Sequence, residues 1–415
     1  QNCTGLTSIT IPGSVTSIGE GAFRNCIGLT SISIPKSVTS IGNFAFYNCT
    51  DLTSINIPGS VTSIGDYAFD SCSSLTSITI PKSVTSIGNF AFYGCGKLTV
   101  YLENGSTLTS GQLGVDASKI RTYWNEGNLT WTLTADGTMT ISGTGTMKNY
   151  SNDSPATQKK DNIKKVVIED GVTSIGDNAF YDCTGLTSIE IPSSVTSIGD
   201  CAFYNCTGLT SITIPNRVTS IGDSAFRNCT GLTSVTIPDS VTSIGDCAFS
   251  GTLWLTNKQH EDSLVIVNGI LIDGTACSGK VTIPDGVTSI GDSAFYDCSS
   301  MTSINIPKSV TSIEKFAFYK CTGLTSITIP KSVTSIGSNV FGGCTVLTEV
   351  LLENGSTLTY NDLGVNESII RTCWNEDNLT WTLAADGTMT ISGTGAMKDY
   401  SYDSPATRKK DKVKK

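Results

Sequence analysis

The chain has 415 residues with a formal net charge of -9, 38% hydrophobic and 15% charged residues, and 41 glycines. An acidic balance weighs against a nucleic-acid partner, which needs a basic stripe, and no stretch approaches the roughly 18 apolar residues of a membrane-spanning helix. A chain this low in charge and this rich in Ser and Thr is expected to fold with a hydroxyl-rich surface.

A period of 23 residues runs along most of the chain. Pro12, Pro35, Pro58 and Pro81 share one phase, as do Pro192, Pro215 and Pro238, and then Pro284, Pro307 and Pro330. The step from Pro238 to Pro284 is 46, two periods, so one coil between them has been rewritten without loss of phase. Written from Leu29, the unit reads L-x-x-I-x-I-P-x-x-V-x-x-I-x-x-x-A-F-x-x-C, with Leu29, Ile32, Ile34, Val38, Ile41, Ala45, Phe46 and Cys49 as its apolar positions.

Ile32 and Ile34 alternate with Ser31 and Ser33, the period of a half-buried strand, and Pro35 ends that strand because it cannot donate to a ladder. Val38 to Ile41 predicts a second short strand. Gly42 allows a tight turn, and the Ala45-Phe46 pair is expected on a short helical or 3₁₀ turn that plugs the coil interior. One coil buries too few side chains to offset the ordering of its backbone, so repetition is read as a stability device.

The first block of coils spans 1–111. A spacer follows over 112–162, where Trp131 and Leu133, then Asp136-Gly137, then Met139 and Ile141 predict a β-hairpin with a two-residue turn. The second block spans 163–361, with a variant coil near 252–280 whose "LVIVNGILI" predicts another hairpin turning at Asn268-Gly269. The stretch from Gly114 recurs almost verbatim from Gly364, 250 residues on, so 362–415 reads as a second, truncated spacer and the chain as a piece of a longer one.

The unit "LTSITIPKSVTSIGNFAFYNC" is similar to the BspA-like leucine-rich repeats of bacterial surface proteins, over roughly three quarters of the chain. That resemblance implies a mainly β leucine-rich-repeat solenoid, with two short strands and a short helical or 3₁₀ turn per coil, in two blocks separated by a β-hairpin spacer. It also implies display at the cell surface or secretion, adhesin-like binding of host extracellular-matrix proteins or glycans, and no catalytic residues or cofactor.

Eleven of the 15 cysteines occupy one repeat position, Cys26, Cys49, Cys72, Cys206, Cys229 and Cys321 among them. Pairing would break the equivalence of the coils, so a column of free buried thiols is expected in place of a disulfide framework. No Cys and His spacing suits zinc, and no metal site is expected. "GTACSGKV" at Gly274 nearly matches a phosphate-binding loop, but Val281 stands where a magnesium-binding hydroxyl belongs and a strand follows, so it reads as a turn. His260 lies in "TNKQHEDS" without a nucleophile or second histidine and is expected in a solvated loop. Asp66, Asp200 and Asp292 recur at turn positions that favour Asp.

Two surfaces are candidates for recognition. Outward pairs such as Ser31 and Ser33, Ser77 and Thr79, and Ser211 and Thr213 form either a polar binding floor or the soluble side of a sheet. Phe44 with Tyr47, Phe90 with Tyr93, and Phe316 with Tyr319 lie beyond the core phenylalanines and are candidate ligand-binding anchors. The expected function is non-enzymatic binding at the cell surface; the alternative is a stalk that presents another domain and has no ligand of its own.

Overall fold

In the computed structural model of the protein, which describes residues 2–376, 378–400 and 403–414, the repeat folds as one coil of a parallel β-solenoid of about 16 turns. Ser31–Ser33 forms the first strand of its coil, with Ile32 buried between exposed serines. Ser40–Ile41 forms the second, with Ile41 buried. Each strand meets its equivalent 23 residues on: Ile32 lies opposite Ile55, and Ile41 opposite Ile64. A fixed sequence period thus becomes a fixed parallel register, in which every row holds one residue type.

The segment expected to be helical is instead a ribbon of overlapping β-turns. Ala45, Tyr47 and Cys49 donate their N–H groups three residues back, to Gly42, Phe44 and Phe46. Phe44, Phe46 and Asn48 donate theirs to Asp66, Ala68 and Asp70 of the next coil, at 2.7–2.9 Å. Phe44 and Asn48 hold φ of 55° and 58°, and this left-handed alternation stops a helix from propagating. Close approach of successive ribbons also requires glycine: a Cβ on Gly65 would stand 2.6 Å from the backbone nitrogen of Asn43.

Many Ser and Thr hydroxyls join one coil to the next. The Thr53 hydroxyl donates to the Thr30 carbonyl at 3.3 Å and Thr76 to Thr53 at 3.3 Å. Ser60 donates to Val38 at 2.6 Å and Ser83 to Val61 at 2.8 Å. The turn carboxylates act in the same way, Asp66 accepting from the N–H of Asn89, and Asp200 from that of Asp223. Inside, the ring of each phenylalanine lies on the next: Phe46 and Phe69 stack at 5.1 Å, Phe203 and Phe226 at 5.2 Å. All four are fully buried.

The chain divides into two compact units, one made of 1–147, 155–173 and 185–192, the other of 148–154, 174–184 and 193–415. The first carries a nine-stranded sheet into which the spacer is built. Ile120–Glu126 continues the sheet parallel to Thr99–Glu103, Leu129–Thr134 and Thr138–Gly143 return antiparallel, and Thr138–Gly143 then runs parallel to Lys165–Ile168. The spacer is therefore a three-stranded meander within the first unit's sheet. Its second turn is a three-residue loop, Ala135 to Gly137, and not the two-residue turn expected, because Gly137 at φ 89° closes a turn on the Thr134 carbonyl.

In the second unit the spacer's copy repeats this arrangement with Ile370–Glu376, Leu379–Ala384 and Met389–Gly393. The variant coil contains the expected hairpin, Val265–Val267 with Ile270–Asp273, turning at Asn268 and Gly269 with both φ positive. It also contains a helix that the sequence reading missed, Leu253–Glu261, capped by the Thr252 hydroxyl. His260 lies exposed on this helix, which corrects the expected loop. Trp254 sits on Phe249 at 4.8 Å, and Gly274 stands where a ring would belong, with a Cβ there 2.3 Å from Phe295. Among the described residues, no helix is long and apolar enough to cross a membrane.

Candidate ligand-binding surface

The turn ribbon carries the candidate aromatic residues. Phe44 projects from a left-handed position, and its equivalents in the next two coils are Tyr67 and Phe90, with φ of 54° and 56°. The three rings form one outer stack, Phe44 on Tyr67 at 5.1 Å and Tyr67 on Phe90 at 5.3 Å. Tyr47 and Tyr93 meet the ends of the stack edge-on, each 5.8 Å from its phenylalanine. The Arg24 guanidinium lies over both Phe44 and Tyr47, at 5.2 and 5.1 Å, and covers that end. At the other end Phe90 is 55% and Tyr93 65% exposed, whereas Phe44 and Tyr47 are half-buried.

In the second unit Phe316 meets Tyr319 edge-on at 5.5 Å, Tyr319 stacks on Tyr296 at 5.2 Å, and both Phe316 and Tyr319 are half-buried. Tyr67 and Tyr296 extend the two groups but were absent from the sequence set, which was drawn from the "NFAFY" and "KFAFY" units. Reading down the repeat column, in place of along one unit, would have found them.

The thiols form a second ordered feature. Cys26, Cys49, Cys72, Cys206, Cys229 and Cys321 are all free and buried. Each thiol from Cys49 on in this set donates to the carbonyl of the phenylalanine 26 residues earlier: Cys49 to Phe23 at 3.2 Å, Cys72 to Phe46 at 3.2 Å, Cys206 to Phe180 at 3.1 Å, Cys229 to Phe203 at 2.9 Å and Cys321 to Phe295 at 3.1 Å. Burial pushes the Cys49 thiol up to about 12 and also raises those of Cys206 and Cys321, while the Cys72 thiol is raised first by its hydrogen bond with Cys95 and then by burial. Such groups stay protonated and unreactive at neutral pH. Among the described residues no group of His, Cys, Asp or Glu could hold a metal ion.

The shortened turn of the variant coil opens a cavity of about 570 Å³, lined by Asp246, Gln259, Asp273, Asp292 and Tyr296 among others. Burial pushes the Asp292 carboxyl up to about 6, with Lys315 at 3.5 Å opposing the shift. Lys315 also pairs with Asp223 at 2.9 Å. The phosphate-loop-like stretch runs into the strand Gly279–Thr282, parallel to Met301–Asn305.

The family model for the BspA type leucine rich repeat region, in six copies, matches residues 1–111, 154–270 and 273–371. The chain belongs to this family. Solved leucine-rich repeat proteins similar to this BspA-type chain include one from Bacteroides ovatus, 27% identical, covering 91% of this chain and 85% of that one with a TM-score of 0.32. Another, from Eubacterium ventriosum, is 26% identical and covers 56% of this chain and 78% of its own, with a TM-score of 0.36. A leucine rich cell surface protein of Faecalibacterium prausnitzii is 26% identical, with coverages of 86% and 90% and a TM-score of 0.26. No curated protein matches. In this BspA-type chain most coils repeat the same interior, so individuality lies in the outer rings, the variant coil and the spacers.

Proposed function

We propose that this BspA-type chain is a non-enzymatic binding protein, displayed at the cell surface or secreted, whose solenoid surface engages a host extracellular-matrix protein or glycan in the manner of an adhesin. The observation that carries this reading is the outer aromatic stack ending in Phe90 and Tyr93, 55% and 65% exposed. Large exposed rings held rigid by a stack are anchors with little entropy left to lose on binding. Phe44 and Tyr47 are half-buried neighbours in that stack, and Phe316 and Tyr319 form a separate half-buried group in the second unit. Capture of matrix proteins and glycans on the immobilised chain tests it, and Phe90→Ala with Tyr93→Ala is expected to weaken capture by about tenfold or more.

The stalk reading draws on the Ser rungs, Ser40 opposite Ser63 and Ser63 opposite Ser86, which present the same polar edge in successive coils. Failure to capture any partner, with the aromatic variants indistinguishable from the parent chain, would favour the stalk.

A further inference from the structure

The 250-residue duplication has a consequence at the proline edge of the sheets, where one groove occurs twice. In the first unit Ser33, Asn56, Thr79, Tyr101 and Arg121 share a row, so Trp124 to Glu126 run three to five residues beyond the ends of the short strands. That step walls a groove of about 910 Å³ over Pro35, Pro58 and Pro81. In the second unit Asn375 walls a groove of about 530 Å³ over Pro284, Pro307 and Pro330.

Three polar groups recur in the two grooves, Glu103 and Glu353, Asn125 and Asn375, and Asn56 and Asn305, whereas Lys36 and Gly59 of the first are replaced by Asp285 and Lys308 in the second. Glu103 accepts from the backbone N–H of Lys82 at 3.0 Å, and Glu353 accepts from that of Lys331 at 3.0 Å. A lysine ammonium faces each carboxylate, Lys82 at 3.6 Å and Lys308 at 3.8 Å. The side-chain oxygen of Asn125 accepts from Thr130 at 3.3 Å and that of Asn375 from Thr380 at 3.1 Å, which fixes each amide and leaves its nitrogen to donate elsewhere. Asn56 and Asn305 add a second exposed amide to each floor.

Planar amides and a carboxylate pair with neighbouring hydroxyls, while proline rings offer flat C–H surfaces to an apolar face. Lys36 and Lys82 against Glu103 and Glu126 leave the first groove without net charge, and Lys308 against Asp285 and Glu353 leaves the second with one net negative charge, so neither favours an anionic ligand. We propose that each groove binds a segment of an uncharged, linear oligosaccharide, so that one chain takes two copies of the same glycan. This deepens the surface-binding reading and rests on it.

Titration calorimetry of the full chain with neutral linear hexasaccharides, derived from β-glucan, xylan and mannan, tests the proposal. The expected result is two sites per chain for at least one sugar, one site after Asn125→Ala, and affinity at least about tenfold weaker after Asn125→Ala with Asn375→Ala. Asn56→Ala with Asn305→Ala should act in the same direction, and circular dichroism shows that each variant is folded. A single site, no binding by any sugar, parent-like affinity in both double variants, or preference for an extended proline-rich peptide would overturn it. If sugars fail while matrix proteins are still captured, the groove assignment alone falls; if both fail, the surface-binding reading falls with it.

Discussion

At Phe46 one carbonyl accepts twice, from the Cys49 N–H in its own coil and from the Cys72 thiol in the next. Cysteine suits that place because it is small, apolar and still a weak donor. Alkylation of the native chain should therefore label exposed Cys3 first and reach Cys26, Cys49, Cys72, Cys206, Cys229 and Cys321 only after denaturation. Mass spectra taken with and without reductant should then agree, and a deficit of hydrogen pairs without reductant would contradict free thiols. Asp292 makes a second residue-scale prediction. Its folded carboxyl sits near 6, above the ordinary value of 3.8, so its contribution is complete at low pH and is lost as pH rises through 6. Asp292→Asn should raise the urea midpoint at pH 8, by about 2 kcal/mol of stability, and leave it nearly unchanged at pH 4. An equal shift at both pH values would contradict this origin.

At the scale of elements, the variant coil shows how a solenoid absorbs an exception. Leu271 to Cys277 takes six residue steps where Ile290 to Cys298 takes eight, and the missing ring is replaced by Trp254 from the inserted helix and by the bare backbone of Gly274. Gly274→Val should destabilise the chain by about 1–3 kcal/mol through its clash with Phe295, read as a lower urea midpoint. The helix was not legible in the sequence, because Leu253, Trp254 and Leu255 are consecutive and leave no helical stripe along Thr256 to Glu261. The turn ribbon escaped for a different reason. Its left-handed positions are filled by Phe44, Tyr67 and Cys201 as readily as by Asn, so only inter-coil hydrogen bonding dictates them. By contrast the strands at Ile32 and Ile41, the stop at Pro35 and the hairpin at Asn268-Gly269 followed directly from local pattern. Of the candidate surface, the sequence exposed Phe90 and Tyr93 but not the Arg24 cover over Phe44 and Tyr47, which depends on residues one coil apart.

For the molecule as a whole, order comes from stacking. Hydroxyl, thiol, carboxylate and ring each find a partner one period away, so a coil without neighbours would lose nearly all of its hydrogen bonds outside its own turns. Hydrogen exchange on the full chain carrying Phe203→Ala, a change of about 3–5 kcal/mol in a stacked core, tests this most directly. Loss of amide protection in the adjoining coils around Phe180 and Phe226, comparable to that around residue 203, is the predicted result. Loss confined to the substituted coil, with both neighbours fully protected, would contradict it.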